Sequence, residues 1–145
     1  MGKVTTTIKL TNLVDEIMFQ RGFIPQTEIR SLTLDNVLVD TVATRICLPE
    51  EMIRQLGLTL QGEISAKIAV GVKKLRVFRG LSLSVAGRNG TYDCVELPSG
   101  EDPLLGLIPL EDLGIELDLQ NQKLKLLPME GKDTYLTILS LTGKK

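Results

Sequence analysis

Polar and apolar positions alternate along much of the chain. Val4, Thr6, Ile8 and Leu10 share one face of a period-two pattern rich in β-branched residues, which predicts a strand. Thr11-Asn12 reads as a turn, and Leu13 to Phe23 stays open between a short helix and an irregular loop, closed by Gly22 and Pro25. Ile29 to Leu34 reads as a second strand and Asp35-Asn36 as a turn. Val37-Leu38-Val39 follows as a strand whose lack of alternation predicts burial on both sides. Ile64, Ala66, Ile68 and Val70 alternate with Glu63, Ser65, Lys67 and Ala69, and Leu75, Val77 and Phe78 follow, so a hairpin is expected with its tip near Val70-Gly71-Val72. Leu81, Leu83 and Val85 form the next strand. Asn89-Gly90 is the strongest short hairpin signal, returning the chain through Thr91 to Leu97.

Two stretches switch to helical spacing. Pro49 to Gly57 opens with proline and two glutamates, carries Met52, Ile53 and Leu56 as a stripe, and stops at a glycine. Leu104 to Gly114 repeats the theme: a short apolar strand, a special turn, a brief Pro-initiated helix and a terminating glycine. Ile115 to Leu119 and Lys123 to Leu127 then read as a strand pair ended by Pro128. Tyr135 to Leu141 is a last strand candidate, and Lys144-Lys145 a frayed end. The sum is all-β, with one or two short helices.

Composition narrows the chemistry more than the fold. The 145 residues suit one domain, and 43% hydrophobic with 24% charged residues is ordinary for a globular chain. A net charge of -1 gives little support to a nucleic-acid partner, and no apolar run is long enough to span a membrane. Met1-Gly2 is a poor myristoylation signal, no secretory stretch follows it, and a cytoplasmic location is expected. The chain has no histidine, which excludes histidine bases, triads and His-rich metal centres. Cys47 and Cys94 are expected as small core residues; a Cys47 thiol nucleophile is conceivable, but no base stands beside it. Acid–base chemistry falls to Asp, Glu, Lys, Tyr or Cys.

Asp40 closes the apolar run Val37-Leu38-Val39. A carboxylate at the end of a buried strand is costly unless something uses it. It either hydrogen-bonds its own turn or serves a reaction. Val39-Asp40-Thr41-Val42-Ala43-Thr44, followed by Leu48-Pro49-Glu50 and Leu56-Gly57-Leu58, resembles the active-site segment of single-domain retropepsin-like aspartic proteases, whose motif is Asp-Thr/Ser-Gly-Ala after an apolar strand. Leu104-Leu105-Gly106 resembles the family's second hallmark. Leu110 to Gly114 and the strand pair ending in Leu127-Pro128 are similar to its bacterial branch.

The resemblance runs from Val4 to Pro128. It implies a small closed β-barrel-like acid-protease domain over residues 1-128, with 129-145 as a C-terminal strand or tail and the dimer interface as one place for it. It also implies an aspartic endopeptidase acting as a homodimer on a peptide or protein substrate, with no metal and no cofactor. Asp40 and Thr41 would be catalytic, Thr41 reaching across to the partner's turn. Val42, Ala43, Val70, Gly71 and Val72 would line the substrate site, the last three in a flap. Leu104-Leu105-Gly106 would pack beneath the active-site loop. Such chemistry needs one carboxyl group to activate water and one to supply a proton. A two-fold axis duplicates a single carboxylate, and two adjacent carboxylates share a proton.

Two departures qualify that expectation. The family has glycine, occasionally alanine, where this chain has Val42. A branched side chain restricts the backbone and crowds two facing turns. Three readings follow: a slow or specialised protease, a non-catalytic peptide-binding or structural dimer, or an enzyme disabled by one substitution. At the hairpin tip, bacterial relatives often carry Asp-Gly, and here Val70-Gly71-Val72 predicts an apolar roof and a preference for hydrophobic residues at the scissile bond. Arg45 and Arg88 are expected either to bind substrate, to form dimer ion pairs or to do nothing measurable. Asp112 and Asp118 are expected to be solvated.

Overall fold

The structure is a computed structural model that describes residues 3–141. The expectations for Met1-Gly2 and Lys144-Lys145 lie outside the described residues. Strand β1 (Thr5–Asn12) runs into helix α1 (Leu13–Gln20), and a single 3-10 turn (Gln26–Glu28) leads to β2 (Ser31–Val39). Next come β3 (Ile46–Pro49), α2 (Glu50–Leu56), β4 (Thr59–Ile68), β5 (Gly71–Val85) and β6 (Arg88–Leu97). The chain ends with β7 (Leu104–Leu105), α3 (Leu107–Asp112), β8 (Ile115–Asp118) and β9 (Lys123–Leu126). The all-β class holds.

Seven strands form one sheet in the order β1-β2-β7-β3-β6-β5-β4, and a further pairing of β1 with β5 closes it. Closure depends on the length of β5. Its far half, Leu81 to Val85, pairs with β1, while Gly71 to Arg79 pairs with β4. Strand β4 is therefore left outside the ring. Inward positions at period two fill the interior: Ile8, Leu10, Val37, Val39, Ile46, Leu48, Leu81, Leu83, Val85, Cys94 and Leu105 are all buried. Ile53 and Leu56 of α2 and Leu110 of α3 join the same core. No helix among the described residues is long and apolar enough to cross a membrane.

The two strand-turn-helix stretches meet. Two-residue β7 lies between β2 and β3, parallel to the first (Leu38 with Leu104, Val39 with Leu105) and antiparallel to the second (Cys47 with Leu104). Both following helices end on a left-handed glycine, Gly57 at φ 65 and Gly114 at φ 65.

Four local expectations change. Thr11-Asn12 is not a turn: both residues belong to β1, and the Asn12 side chain caps α1 by accepting the Asp15 N–H. Asp35-Asn36 is a bulge within a continuous β2, with Asn36 at φ 58 and Asp35 accepting the Thr7 hydroxyl at 2.9 Å. The Asn89-Gly90 signal lies inside β6; the turn is Ala86-Gly87, both at positive φ, because the pairing of β5 with β1 fixes Leu81, Leu83 and Val85 inward. Gly90 is needed for another reason, since a Cβ there would lie 2.2 Å from the Tyr92 hydroxyl. Finally, Tyr135 to Leu141 forms no strand. A strand needs a ladder partner, and the bends before it carry Tyr135 onto Gly114 instead, where the Tyr135 ring occupies the space a Cβ would take.

Candidate active site

Asp40 follows the last residue of β2 and is half-buried. Its amide donates to the Leu105 carbonyl at 3.0 Å, which ties the start of the turn to β7. Its carbonyl accepts the Ala43 N–H at 3.2 Å, and its Oδ1 accepts the Val42 N–H at 3.0 Å. The carboxylate thus holds its own turn with one oxygen, as a strand-end Asp readily does.

The turn is clamped from the second stretch. Leu107 N–H donates to the Ala43 carbonyl and Ile108 N–H to the Thr44 carbonyl, both at 2.8 Å. Gly106 immediately precedes the two donors. A Cβ on it would lie 2.2 Å from the Arg45 carbonyl oxygen and 2.8 Å from that of Ala43. Leu104-Leu105-Gly106 packs against the Asp40 loop because only a residue without a side chain allows the approach.

Val42 does not strain the fold. Its φ is not positive, and its side chain is 91% exposed at the outer edge of the turn. Thr41 is also exposed and Ala43 half-buried.

Cys47 pairs with Leu104, which also pairs with Leu38, two residues before Asp40. Burial first, and then the Asp40 carboxylate, push its thiol up to about 11. Cys94 is pushed up to about 12, by burial and then by Cys47. Both are free thiols held above the ordinary cysteine range, which disfavours the nucleophile reading.

The β4–β5 hairpin turns at Ala69-Val70, with Ile68 paired to Gly71. Its two faces differ. Ile64, Ala66 and Ile68 face across to Leu75, Lys73 and Gly71, and this face is half-buried toward the base. Glu63, Ser65 and Lys67 pair with Arg76, Lys74 and Val72 on the exposed face. Val70 is 91% exposed at the tip, and Val72 lies on the outer face. The apolar inner surface is supplied by Ile64, Ile68 and Leu75 rather than by Val72. At the base, Arg76 makes a two-point ion pair with Glu96 at 2.8 Å and lies over the Phe78 ring. Beyond it the arm is paired only with itself.

Arg88 corrects its expectation. It is buried, not a surface arginine, and donates to the carbonyls of Leu113, Gly114 and Leu127. The Tyr135 ring stacks on it at 4.8 Å. Asp112 is exposed but not merely solvated: it accepts the Tyr92 hydroxyl at 2.5 Å. Burial, followed by Asp112, holds the Tyr92 phenol above its usual range. Asp118 accepts both the backbone and side-chain N–H groups of Asn121, which lower its pKa. Arg45 lines a groove of about 170 Å³ with Tyr92, Asp93 and Ile108.

A second network was not read from the sequence. Asp15 is buried and accepts the Arg30 guanidinium at 2.8 and 3.0 Å and the Arg30 N–H at 3.0 Å. Asn12 Nδ2 donates to the Leu56 carbonyl at 2.8 Å. Asn12 three residues before Asp15 is a sequence signal for the cap, but nothing local signals the Asp15–Arg30 pair. No family model matches the chain, and no curated protein matches its sequence.

Proposed function

We propose that the chain is an aspartic endopeptidase of the retropepsin-like kind, active as a homodimer in which Asp40 of each copy supplies one carboxyl group. The observation that carries this reading is the Asp40 turn. A carboxylate at the end of a buried strand keeps one oxygen for its own turn, and a glycine-gated loop clamps that turn from below. One carboxylate ionises and activates water; the other, protonated, donates to the substrate carbonyl oxygen. Thr41, exposed beside it, hydrogen-bonds across to the partner's turn in this reading. The β4–β5 arm is the flap, its apolar inner face covering an extended peptide.

Exposed Val42 favours a second reading, in which the same dimer binds peptides without cleaving them. Two such side chains meeting at the axis would separate the carboxylates, and a small error in spacing costs roughly a hundredfold in rate. The test is cleavage of an unfolded protein at about pH 4 to 7 by the native chain, D40N and V42G, since acidic conditions favour a half-protonated pair. Native cleavage that vanishes in D40N supports the protease. Cleavage only in V42G supports the binding dimer, and cleavage unaffected by D40N contradicts both.

A further inference from the structure

On the inner face of the β4–β5 arm, one position breaks the apolar pattern. From Gly62 to Ile68 that face presents Gly62, Ile64, Ala66 and Ile68; the facing strand presents Val77, Leu75, Lys73 and Gly71. Lys73 is the single charge among them, and it is exposed. It lies directly opposite Ala66, whose small side chain leaves the ammonium unobstructed.

The side this face looks toward follows from the register. Val77 pairs with Val95, and Val95 pairs with Cys47, so the three share one face of the sheet. Val77 and Val95 are buried yet stand apart from the main core, whereas Phe78, Cys94 and Ile46, on the opposite face, belong to it. Cys47 pairs with Leu104, and Leu104 with Leu38, two residues before Asp40 on the same strand line. The face bearing Lys73 therefore continues the Asp40 side of the sheet.

Charge along the arm is one-sided. Between Glu63 and Asp93 there is no acidic residue, and Arg76 is already engaged by Glu96. None of the three salt bridges among the described residues involves Lys73.

We propose that Lys73 selects substrates carrying a carboxylate side chain, two residues along the peptide from the hydrophobic side chain received by Leu75. This rests on the protease reading and names its substrate class: extended peptides, hydrophobic at the scissile bond and acidic beside it. The spacing is set by geometry, because alternate residues on a strand, and on a peptide lying against it, are both about 7 Å apart. Lys67 and Lys74 point from the other face and have no part in the selection.

The test uses paired peptides that differ only by Glu or Gln at each position flanking a hydrophobic pair, at about pH 6, where a glutamate is ionised. The native chain is expected to cleave one Glu peptide about two to five times faster in kcat/KM than its Gln twin, the range of an exposed ion pair. K73Q should abolish the difference and K73E reverse it in favour of a lysine peptide. K74Q, on the outer face, should leave it intact. Equal cleavage of Glu and Gln peptides by the native chain, or an equal loss in K73Q and K74Q, overturns the assignment while leaving the protease reading standing. Should no peptide be cleaved in an Asp40-dependent way, the protease reading fails, and fluorescence anisotropy of the same labelled peptides on D40N decides for Lys73. Tighter Glu binding that K73Q abolishes supports it; equal affinity or no binding overturns it.

Discussion

At Gly106 an added Cβ would meet backbone carbonyls, which cannot yield as the end of a flexible side chain can. G106A is therefore expected to cost about 1–3 kcal/mol and to displace the Asp40 turn, read as a lower denaturation midpoint. Val42 is the opposite case. It is exposed and its φ is unstrained, so V42G should change stability by less than about 1 kcal/mol. Any gain of cleavage in V42G then reports on the space between two copies. Asp15 supplies a pH signature. The Arg30 side-chain hydrogen bonds, opposed by burial, hold its carboxyl below the ordinary 3.8. A group depressed in the folded state stabilises it above the unfolded value and loses that contribution as pH falls through the lowered one. Denaturant midpoints should thus fall more steeply below about pH 4 for the native chain than for D15N. An unchanged pH slope in D15N would remove the pair from the stability account. These residues differed in how legible they were. Asp40 and Gly106 were readable because each follows a short apolar run, Val37-Leu38-Val39 and Leu104-Leu105. The partnership of Asp15 with Arg30 was not, because nothing local says that an acid on a short helix turns inward.

The elements were legible where the chain alternates. Leu81 to Val85 alternates because one face is buried in the core, and Ile64 to Ile68 is a strand as well although neither of its faces is buried. Local pattern failed where tertiary pairing decides. Asn89-Gly90 is a good turn sequence, yet the turn lies at Ala86-Gly87 because β1 dictates the register of β5. Tyr135 to Leu141 has a strand's composition and no neighbour to pair with. The β4–β5 arm follows the same logic: below Arg76 it is part of a closed sheet, and above it only a two-stranded ribbon. Amides from Ser65 to Lys74 should exchange hydrogen faster than those from Leu81 to Val85 in a peptide-resolved exchange experiment. Equal protection of both halves would mean that the arm is not an independent flap. Arg88 joins β6 to the α3–β8 turn and the end of β9 through three carbonyls, a role no local pattern announces. R88A should cost about 2–4 kcal/mol, measurable by denaturant unfolding.

For the whole molecule, one chain offers one suitably placed carboxylate, and the proposed reaction needs two. Sequence carried the argument as far as the motif and the closed all-β fold; a two-fold partner is not written in one chain's periodicity. Leu136, Ile138, Leu139 and Leu141 are exposed, as is Val42. An assembly that covers them would explain surface that a single copy leaves in water. The direct test of the shared site is to mix native chain with D40N, let subunits exchange, and measure peptide cleavage. If each site needs Asp40 from both copies, an equal mixture retains roughly a quarter of the activity of the same total amount of native chain, since only like pairs of native subunits remain active. Retention of about half would mean that each chain acts alone, and would contradict the shared dyad.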